Sequence, residues 1–154
     1  VSALEKKGMR ENTLIFFTSD NGGPNSSMFA SGARNPNDPE KVTTKPPCSN
    51  APFSGGKGAL KEGGVRVPAF VNWPGKIEPC VVHEPLHHVD LMPTLLATVG
   101  GKGHSDHPFD GKNITEAITQ GKPSPHEDIL INVEAFRGAI RMGKWKFIKI
   151  ALGS

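Results

Sequence analysis

A run of apolar residues that ends in an acid, an amide and two glycines constrains this chain more than any other feature. Leu14 to Phe17 are four consecutive apolar residues, a pattern typical of a strand buried on both faces of a sheet. Asp20 and Asn21 follow this run and precede the two glycines. In mainly parallel α/β sheets, ligands bind beyond the carboxyl ends of strands, and carboxylate and amide oxygens suit calcium. The pattern therefore predicts a metal site, with an Asn-Gly turn that binds no metal as the alternative.

A second segment, GGKGALKEGGVRVPAFVNWPG at residues 55–75, gives the first motif a context. Together, TSDNGG and GGKGxxxEGGVRVPxFVxWPG resemble the sulfatase family, in the order and at about the separation that the family uses. Weaker similarities to the carboxyl-terminal half of an arylsulfatase extend over about Leu4 to Ile150, and they are nearest to the arylsulfatase B (N-acetylgalactosamine-4-sulfatase) group. The resemblance implies an α/β fold. It consists of the end of an alkaline-phosphatase-like, mainly parallel sheet, followed by a small α+β carboxyl-terminal subdomain with antiparallel strands.

The first predicted domain segment covers residues 1–80, which we assign to the end of the large α/β sulfatase domain with its active-site loops. It contains an opening helix, the strand over 14–18, a long Gly- and Pro-rich loop over 22–58 and a second strand over 65–73. Long loops without secondary structure in compact domains are usually functional or mobile. We therefore expect the loop to contribute to a site.

The second predicted segment covers residues 81–154, which we assign to a helix and a small antiparallel subdomain. Asp90 is a suitable N-cap for the helix, and Gly100 with Gly101 is suited to end it. The remaining predicted elements are a short helix over 114–118 and strands over 129–133, around 139–140 and over 145–150, with a hairpin turn near 142–143. Trp145 in the last strand resembles a core position of the family.

The resemblance also implies roles for single residues. Asp20 and Asn21 match part of the family's calcium site, whose other ligands lie near the amino terminus of the full enzyme. Lys57 matches the lysine that contacts sulfate oxygens, so it is the catalytic and substrate-binding candidate in this chain. Its charge would stabilise the negative charge that develops as the S–O bond breaks. His88 matches a histidine near the substrate mouth of some relatives, with a structural or solvent-exposed histidine as the alternative.

The chain departs from the family pattern at two points. Phe53 and Ser54 stand where many relatives have an arginine before the glycines, while Arg66 is expected to form a structural pair with Glu62. The C/S-x-P-x-R motif, from which the family makes its formylglycine nucleophile, does not include Cys48 or Cys80. The resemblance therefore implies that formylglycine and the other calcium ligands lie in an amino-terminal half outside this chain. We expect that half to be a partner, and this chain alone to be inactive.

Composition bears on the remaining partners and on localisation. The net charge of +3 is mild and most basic residues are scattered, which does not favour nucleic-acid binding. No apolar run approaches the roughly 20 residues of a membrane span. Asn25 and Asn113 begin N-glycosylation sequons, and with the resemblance they favour a lysosomal or secreted glycoprotein. Cys48 and Cys80 are candidates for a disulfide, for free thiols, or for pairs with cysteines elsewhere.

These observations lead to a function hypothesis with two alternatives. The hypothesis is the carboxyl-terminal portion of a calcium-dependent sulfatase that hydrolyses sulfate esters of sulfated sugars or glycosaminoglycans, with a sulfated small molecule or glycan as ligand. One alternative is a non-catalytic truncated product that acts as a binding fragment. The other is a phosphatase or phosphodiesterase of the same superfamily, although such enzymes typically use additional metal-binding Asp and His residues.

Overall fold

The computed structural model describes residues 1–24, 34–35, 38–42, 48–104, 106–131 and 134–150, with the backbone alone at 34–35 and 38–42. Its α-helices are α1 (Ser2–Lys6), α2 (Glu62–Val65), α3 (Leu91–Thr98) and α4 (Thr115–Gln120). Its strands are β1 (Ile15–Thr18), β2 (Arg34–Asn35), β3 (Asp38–Val42), β4 (Ala69–Asn72), β5 (Asp128–Ile131), β6 (Arg137–Met142) and β7 (Trp145–Ile150). Short 3-10 helices cover Arg10–Asn12 and His88–Asp90. Within these ranges, no helix has the length and apolar character needed to cross a membrane.

The described strands form three small sheets. β1 pairs with β4, β2 pairs antiparallel with β3, and the third sheet has the order β5-β6-β7. Only two residues connect β6 to β7, and Gly143 in that turn has a φ of 53°. So short a connection requires antiparallel strands. The α/β class with antiparallel strands that the sequence predicts is therefore confirmed.

The chain forms two compact units that are built from interleaved segments. The first unit comprises Val1–Phe16, Val71–Leu130 and Ile140–Phe147, and the second comprises Phe17–Phe70, Ile131–Ala139 and Ile148–Ser154. The first unit contains α1, α3 and α4, whereas the second contains α2, the glycines of the first motif, and Gly55, Gly56, Gly58, Gly63 and Gly64 of the second. The division near residue 80 that the sequence suggests stays a prediction.

The core of the first unit is organised around a buried carboxylate. Asp90 is fully buried and accepts hydrogen bonds from the backbone N–H of His87 at 2.8 Å and of Lys112 at 2.9 Å. The Nε2 atom of His126 lies 2.8 and 2.9 Å from its two carboxylate oxygens. A buried carboxylate is costly unless it is hydrogen-bonded, and these contacts explain how Asp90 can occupy the core. The sequence predicted an N-cap at Asp90, and the structure shows that its side chain bonds back to His87 rather than into α3.

Three further details differ from the predicted elements. The strand predicted over 65–73 begins only at Ala69, because Glu62–Val65 form α2 and Pro68 cannot donate to a ladder. The loop predicted over 22–58 contains the short pair β2 and β3. Trp145, which resembles a core position, is 73% exposed, and the Lys144 ammonium lies 5.5 Å from its ring.

The strand that the sequence predicted to be buried on both faces is open on one side. Phe17 in β1 is 51% exposed, and Phe70 in β4 is 53% exposed. Their rings stack with centroids 5.0 Å apart. In the part of the chain that the structure describes, β1 has β4 as its only strand neighbour, so its apolar side chains cannot all be covered.

Candidate functional site

The two sequence motifs meet in the second unit through their backbones. The N–H of Gly22 donates to the carbonyl of Gly64 at 2.9 Å, and the N–H of Lys57 donates to the carbonyl of Gly23 at 3.0 Å. The N–H of Ser19 donates to the carbonyl of Pro68 at 3.2 Å. The turn that follows β1 therefore lies directly against the glycine-rich loop that carries Lys57.

The closeness of these backbones explains the glycines of both motifs. A Cβ atom on Gly22 would collide with the carbonyl oxygen of Gly63. A Cβ atom on Gly63 would meet the carbonyl of Gly55, and one on Gly64 would meet that of Ala59. Backbone carbonyls cannot rotate away as side chains can, so only glycine fits at these positions.

Asp20 and Asn21 occupy the turn at the end of β1. Asp20 is exposed and Asn21 is half-buried. The Ser19 hydroxyl donates to the carbonyl of Asn21 at 2.9 Å, and the Asn21 Nδ2 donates to the carbonyl of Gly22 at 2.9 Å. The amide nitrogen is a hydrogen-bond donor, so Oδ1 is the atom of Asn21 that is suited to bind a cation. The carboxylate of Asp20 forms no ion pair within the described ranges.

The donor chemistry of this turn fits calcium as a partial ligand set. Calcium takes six to eight oxygen ligands, and the Asp20 carboxylate and the Asn21 amide are oxygen donors of the required type. Among the described residues, no group of three or more His, Cys, Asp and Glu side chains is placed to hold a metal ion. A complete site would therefore need oxygen ligands beyond these two residues.

Lys57 combines a fixed backbone with an exposed side chain. Its N–H is bound by Gly23, and the N–H of Ala59 donates to the carbonyl of Gly56 at 2.8 Å, which closes a tight turn around it. Gly58 in that turn has a φ of 81°, a conformation that favours glycine. No salt bridge in the described part of the chain includes the Lys57 ammonium. The loop therefore carries an exposed positive charge on a hydrogen-bonded backbone, an arrangement suited to binding an anion.

The aromatic residue that departs from the family pattern has a structural contact of its own. The guanidinium of Arg66 lies over the ring of Phe53, 4.8 Å from its centroid. The N–H of Arg66 donates to the backbone carbonyl of Glu62 at 2.8 Å. This backbone bond closes the helical turn, and the cationic group stacks on Phe53, while the predicted pairing of the Arg66 and Glu62 side chains stays a prediction.

The remaining predicted residues are distributed over both units or lie outside the described residues. His88 is exposed and belongs to the first unit, whereas Asp20, Asn21 and Lys57 belong to the second. Asn113 is exposed in the first unit, and Asn25 lies outside the described residues. Cys48 and Cys80 are both exposed and free.

Asn50 is a component of the cluster that sequence reasoning missed. Its Oδ1 accepts a hydrogen bond from the N–H of Gly23 at 2.8 Å. Its Nδ2 donates to the carbonyl of Gly23 at 2.8 Å and to that of Gly55 at 3.2 Å. No local pattern around this asparagine indicates such a role, because its partners depend on how the loop closes.

A separate apolar cavity of about 260 Å³ lies in the first unit. Leu14, Phe16, Leu95 and Ile118 are among its lining residues, and Lys76 is the charged residue among them. Val71 and Trp73 of the second motif are among the lining residues, but Asp20, Asn21 and Lys57 are not, so we do not assign the cavity to the candidate site.

Comparison with known proteins identifies what the chain resembles. The Sulfatase family model matches residues 1–101, which contain both motifs. An arylsulfatase of Hemicentrotus pulcherrimus is 32% identical over 146 residues, which are 95% of this chain and 24% of the relative. The steryl-sulfatase of Mus musculus is 33% identical over 143 residues, which are 92% of this chain and 21% of the relative. The chain thus spans less than a quarter of the length of these two relatives.

A solved structure shares the fold of this chain. It comes from work on the metabolism of multiple glycosaminoglycans by Bacteroides thetaiotaomicron. The TM-score is 0.73 at 23% sequence identity, and the match covers 96% of this chain and 29% of that structure. At this level of identity, the similarity shows that the two chains share a fold, and it does not show that they share a reaction.

Proposed function

The chain belongs to the Sulfatase family, and from this premise we propose that it forms part of a longer protein, the parent, that hydrolyses sulfate esters. The observation that supports this best is the backbone pairing of the two motifs. Hydrogen bonds from Gly22 and Lys57 hold the turn of Asp20 and Asn21 against the loop that presents the lysine charge. A cation ligand set and an anion-binding group in adjacent loops suit a reaction at a sulfate ester.

In this proposal Lys57 binds the sulfate oxygens. Negative charge redistributes as the bond between sulfur and the alcohol oxygen breaks, and a positioned ammonium stabilises that charge. The rigid backbone of Lys57 limits the reorganisation that binding requires. The nucleophile, which the family resemblance implies to be a formylglycine, would come from residues of the parent outside this chain.

Asp20 and Asn21 would hold calcium in the parent. When bound, the ion supplies positive charge that neutralises the sulfate and orients the reacting groups. The Asp20 carboxylate would contribute the negative charge of the ligand set, and the Asn21 Oδ1 a neutral oxygen. The remaining ligands would come from the amino-terminal half.

The open face of β1 and β4 supports a partner segment in the parent. Phe17 and Phe70 are both more than half exposed, and two-stranded sheets are at best marginally stable in water. We propose that the amino-terminal half continues this sheet and covers the two rings. The same half would supply the nucleophile and the other calcium ligands.

A sulfated sugar or glycosaminoglycan is the proposed substrate class. The support is the resemblance of the chain to the N-acetylgalactosamine-4-sulfatase group, while the steryl-sulfatase relative makes a steroid sulfate the competing class. The unpaired lysine charge suits the sulfate group that both classes share.

Lysosomal or secreted localisation is a further proposal, and it makes Asn113 a glycosylation site. Asn113 is exposed, and its Oδ1 accepts bonds from the Thr115 N–H at 2.9 Å and the Thr115 hydroxyl at 2.6 Å. A glycan attaches to Nδ2, which makes no hydrogen bond within the described residues, so both Oδ1 bonds would survive. In a secretory host, Asn113→Gln should remove one glycan mass that amidase treatment also removes. An unchanged mass would contradict the site.

The test of the proposed reaction is an assay of the purified parent on matched esters. Aryl sulfate, sulfated N-acetylgalactosamine, steroid sulfate and the corresponding phosphate esters are compared, before and after calcium chelation. We expect turnover of sulfate esters that falls on chelation and in Asp20→Ala, and that persists in the control Asp110→Ala, an exposed acid. Preference for phosphate esters would support the related phosphatase instead. Turnover of neither class would support the non-catalytic product.

A further inference from the structure

The side chain of Asn50 connects the two loops of the candidate site. Its amide forms a two-bond ring with the peptide groups of Gly23, at 2.8 Å for each bond. Its second N–H reaches the carbonyl of Gly55 at 3.2 Å. One half-buried side chain therefore holds the turn after β1 and the glycine-rich loop at the same time.

Gly23 is where these connections converge. Its carbonyl accepts both the Asn50 Nδ2 and the N–H of Lys57, the latter at 3.0 Å. Gly23 stands two residues after Asn21, and Gly55 stands two residues before Lys57. Asn50 thus binds Gly23 close to the proposed cation ligands, and it binds Gly55 close to the proposed sulfate-binding lysine.

The chemistry of these contacts requires an asparagine. The position needs one acceptor and two donors in a plane, and an amide supplies both. The opposite orientation of the amide would place a donor against the N–H of Gly23, so the bonds fix the orientation. Aspartate would lose both donors, and alanine would lose all three bonds.

We propose that Asn50 is a positioning residue that sets the separation between the turn of Asp20 and Asn21 and the backbone of Lys57. This inference rests on the proposed sulfatase function. Asn50 does not itself touch the sulfate. It acts by holding Gly23 and Gly55, so that the cation and the lysine bind the same sulfate group in one geometry.

The expected consequence of its loss is displacement of Lys57 relative to the cation site. A misplacement of about 1 Å far from the reacting bond can reduce a rate by about 10²-fold. We expect Asn50→Ala to reduce kcat of the parent by about that factor and to weaken inhibition by inorganic sulfate. Calcium affinity, measured by calorimetry, should fall as well, because the turn after β1 loses its support.

The experiment compares Asn50→Ala and Asn50→Asp with Asn12→Ala in the parent. Asn12 is an exposed asparagine in the first unit, outside both motifs, and it serves as the matched control. Asn50→Asp retains the acceptor for the Gly23 N–H but places a carboxylate oxygen against the carbonyls of Gly23 and Gly55, so its kcat should also fall. It also keeps the test usable if Asn50→Ala does not fold. Assays are run well below each melting temperature, so that a loss of stability alone does not lower kcat.

Hydrogen exchange at the amides of Gly23 and Lys57 distinguishes failure of this inference from failure of the proposed function. Faster exchange at both amides in Asn50→Ala and at the Lys57 amide in Asn50→Asp, with lower kcat, weaker sulfate inhibition and weaker calcium binding in Asn50→Ala, supports the inference. If the exchange rates, kcat, sulfate inhibition and calcium affinity of the Asn50 variants equal those of Asn12→Ala, the inference is wrong, even if the wild-type parent hydrolyses sulfate esters. A wild-type parent without this activity would refute the proposed function, whereas the exchange and calcium measurements would still show whether Asn50 holds the two loops.

Discussion

Lys57 is the residue on which the proposed chemistry depends most directly. Lys57→Ala in the parent should lower kcat for a sulfate ester by about 10²–10³, the usual loss when one charge-stabilising group is removed. Its melting temperature should change little, because the side chain is exposed and the backbone bond to Gly23 remains. Lys61→Ala, another exposed lysine of the same loop, is the control and should retain turnover. A large fall in melting temperature with normal turnover would show that Lys57 is structural.

Gly22 tests whether the close contact of the two motifs is essential. In Gly22→Ala, the new Cβ would collide with the backbone carbonyl of Gly63, and overpacking of this kind costs about 3 kcal/mol. Gly75→Ala is the comparison, because that glycine has open space around it and a φ of 67°. Its cost should be about 1 kcal/mol, from the left-handed conformation alone. Chemical unfolding measures the loss of stability in both variants. Calorimetry should show weaker calcium binding only for Gly22→Ala. Equal calcium affinities would contradict a role of this contact in the site.

At the residue scale, the sequence predicted the components of the candidate site better than their connections. Asp20, Asn21 and Lys57 could be selected because each occupies a recognisable motif. Asn50 could not, because its bonds to Gly23 span 27 positions and depend on the path of the intervening loop. The sequence did not predict that Arg66 stacks on Phe53, because this contact also depends on the path of the intervening chain.

At the element scale, local propensity and tertiary contact disagree most clearly around α2. Glu62–Val65 contain two glycines, which disfavour a helix, and the apolar residues that follow favour a strand. The structure nevertheless forms a helical turn there. Gly63 and Gly64 are buried against the carbonyls of Ser54, Gly55, Gly56 and Ala59, a contact that larger side chains would prevent. Contacts with residues outside α2 therefore determine that this helical turn forms, and the local sequence pattern does not show those contacts.

The start of α3 offers a test of how a buried acid supports an element. Asp90→Ala would leave the N–H groups of His87 and Lys112 and the ring of His126 without their acceptor. An unsatisfied buried group costs about 1–3 kcal/mol, and these three groups are partly buried, so we expect a loss of about 3 kcal/mol on chemical unfolding of the parent. Glu116→Ala breaks the exposed pair with Lys122 and should cost less than about 1 kcal/mol. Similar losses for the two variants would mean that Asp90 does not organise this region.

At the scale of the whole molecule, the proposed site requires residues of the parent beyond this chain. The turn of Asp20 and Asn21 supplies a minority of the oxygens that calcium takes, and the stacked rings of Phe17 and Phe70 are open to solvent. The sequence predicted the fold class because the two motifs carry it. It did not predict which apolar faces stay uncovered, because hydrophobicity along a strand does not specify whether the covering residues are present.

The chain expressed alone should therefore show no sulfate-ester turnover. It offers a positioned charge in Lys57 but no residue that the family resemblance identifies as the nucleophile, and without a nucleophile no covalent intermediate can form. Calcium should bind more weakly than to the parent, because two residues of one turn leave most coordination positions to water. Aryl-sulfate hydrolysis and calorimetric calcium titration on the purified chain test both expectations, with the parent as positive control.

One result would overturn this view of the whole molecule. Turnover by the isolated chain that disappears in Lys57→Ala but persists in Lys61→Ala would require a nucleophile within the chain itself. Cys48, Ser49 and Ser54 would then be the first residues to replace, because they lie in the loop that leads to Lys57 and all three are exposed. Turnover that persists in Lys57→Ala as well would instead indicate a contaminating hydrolase, because the positioned lysine is the feature of this chain that binds the sulfate in the proposed reaction.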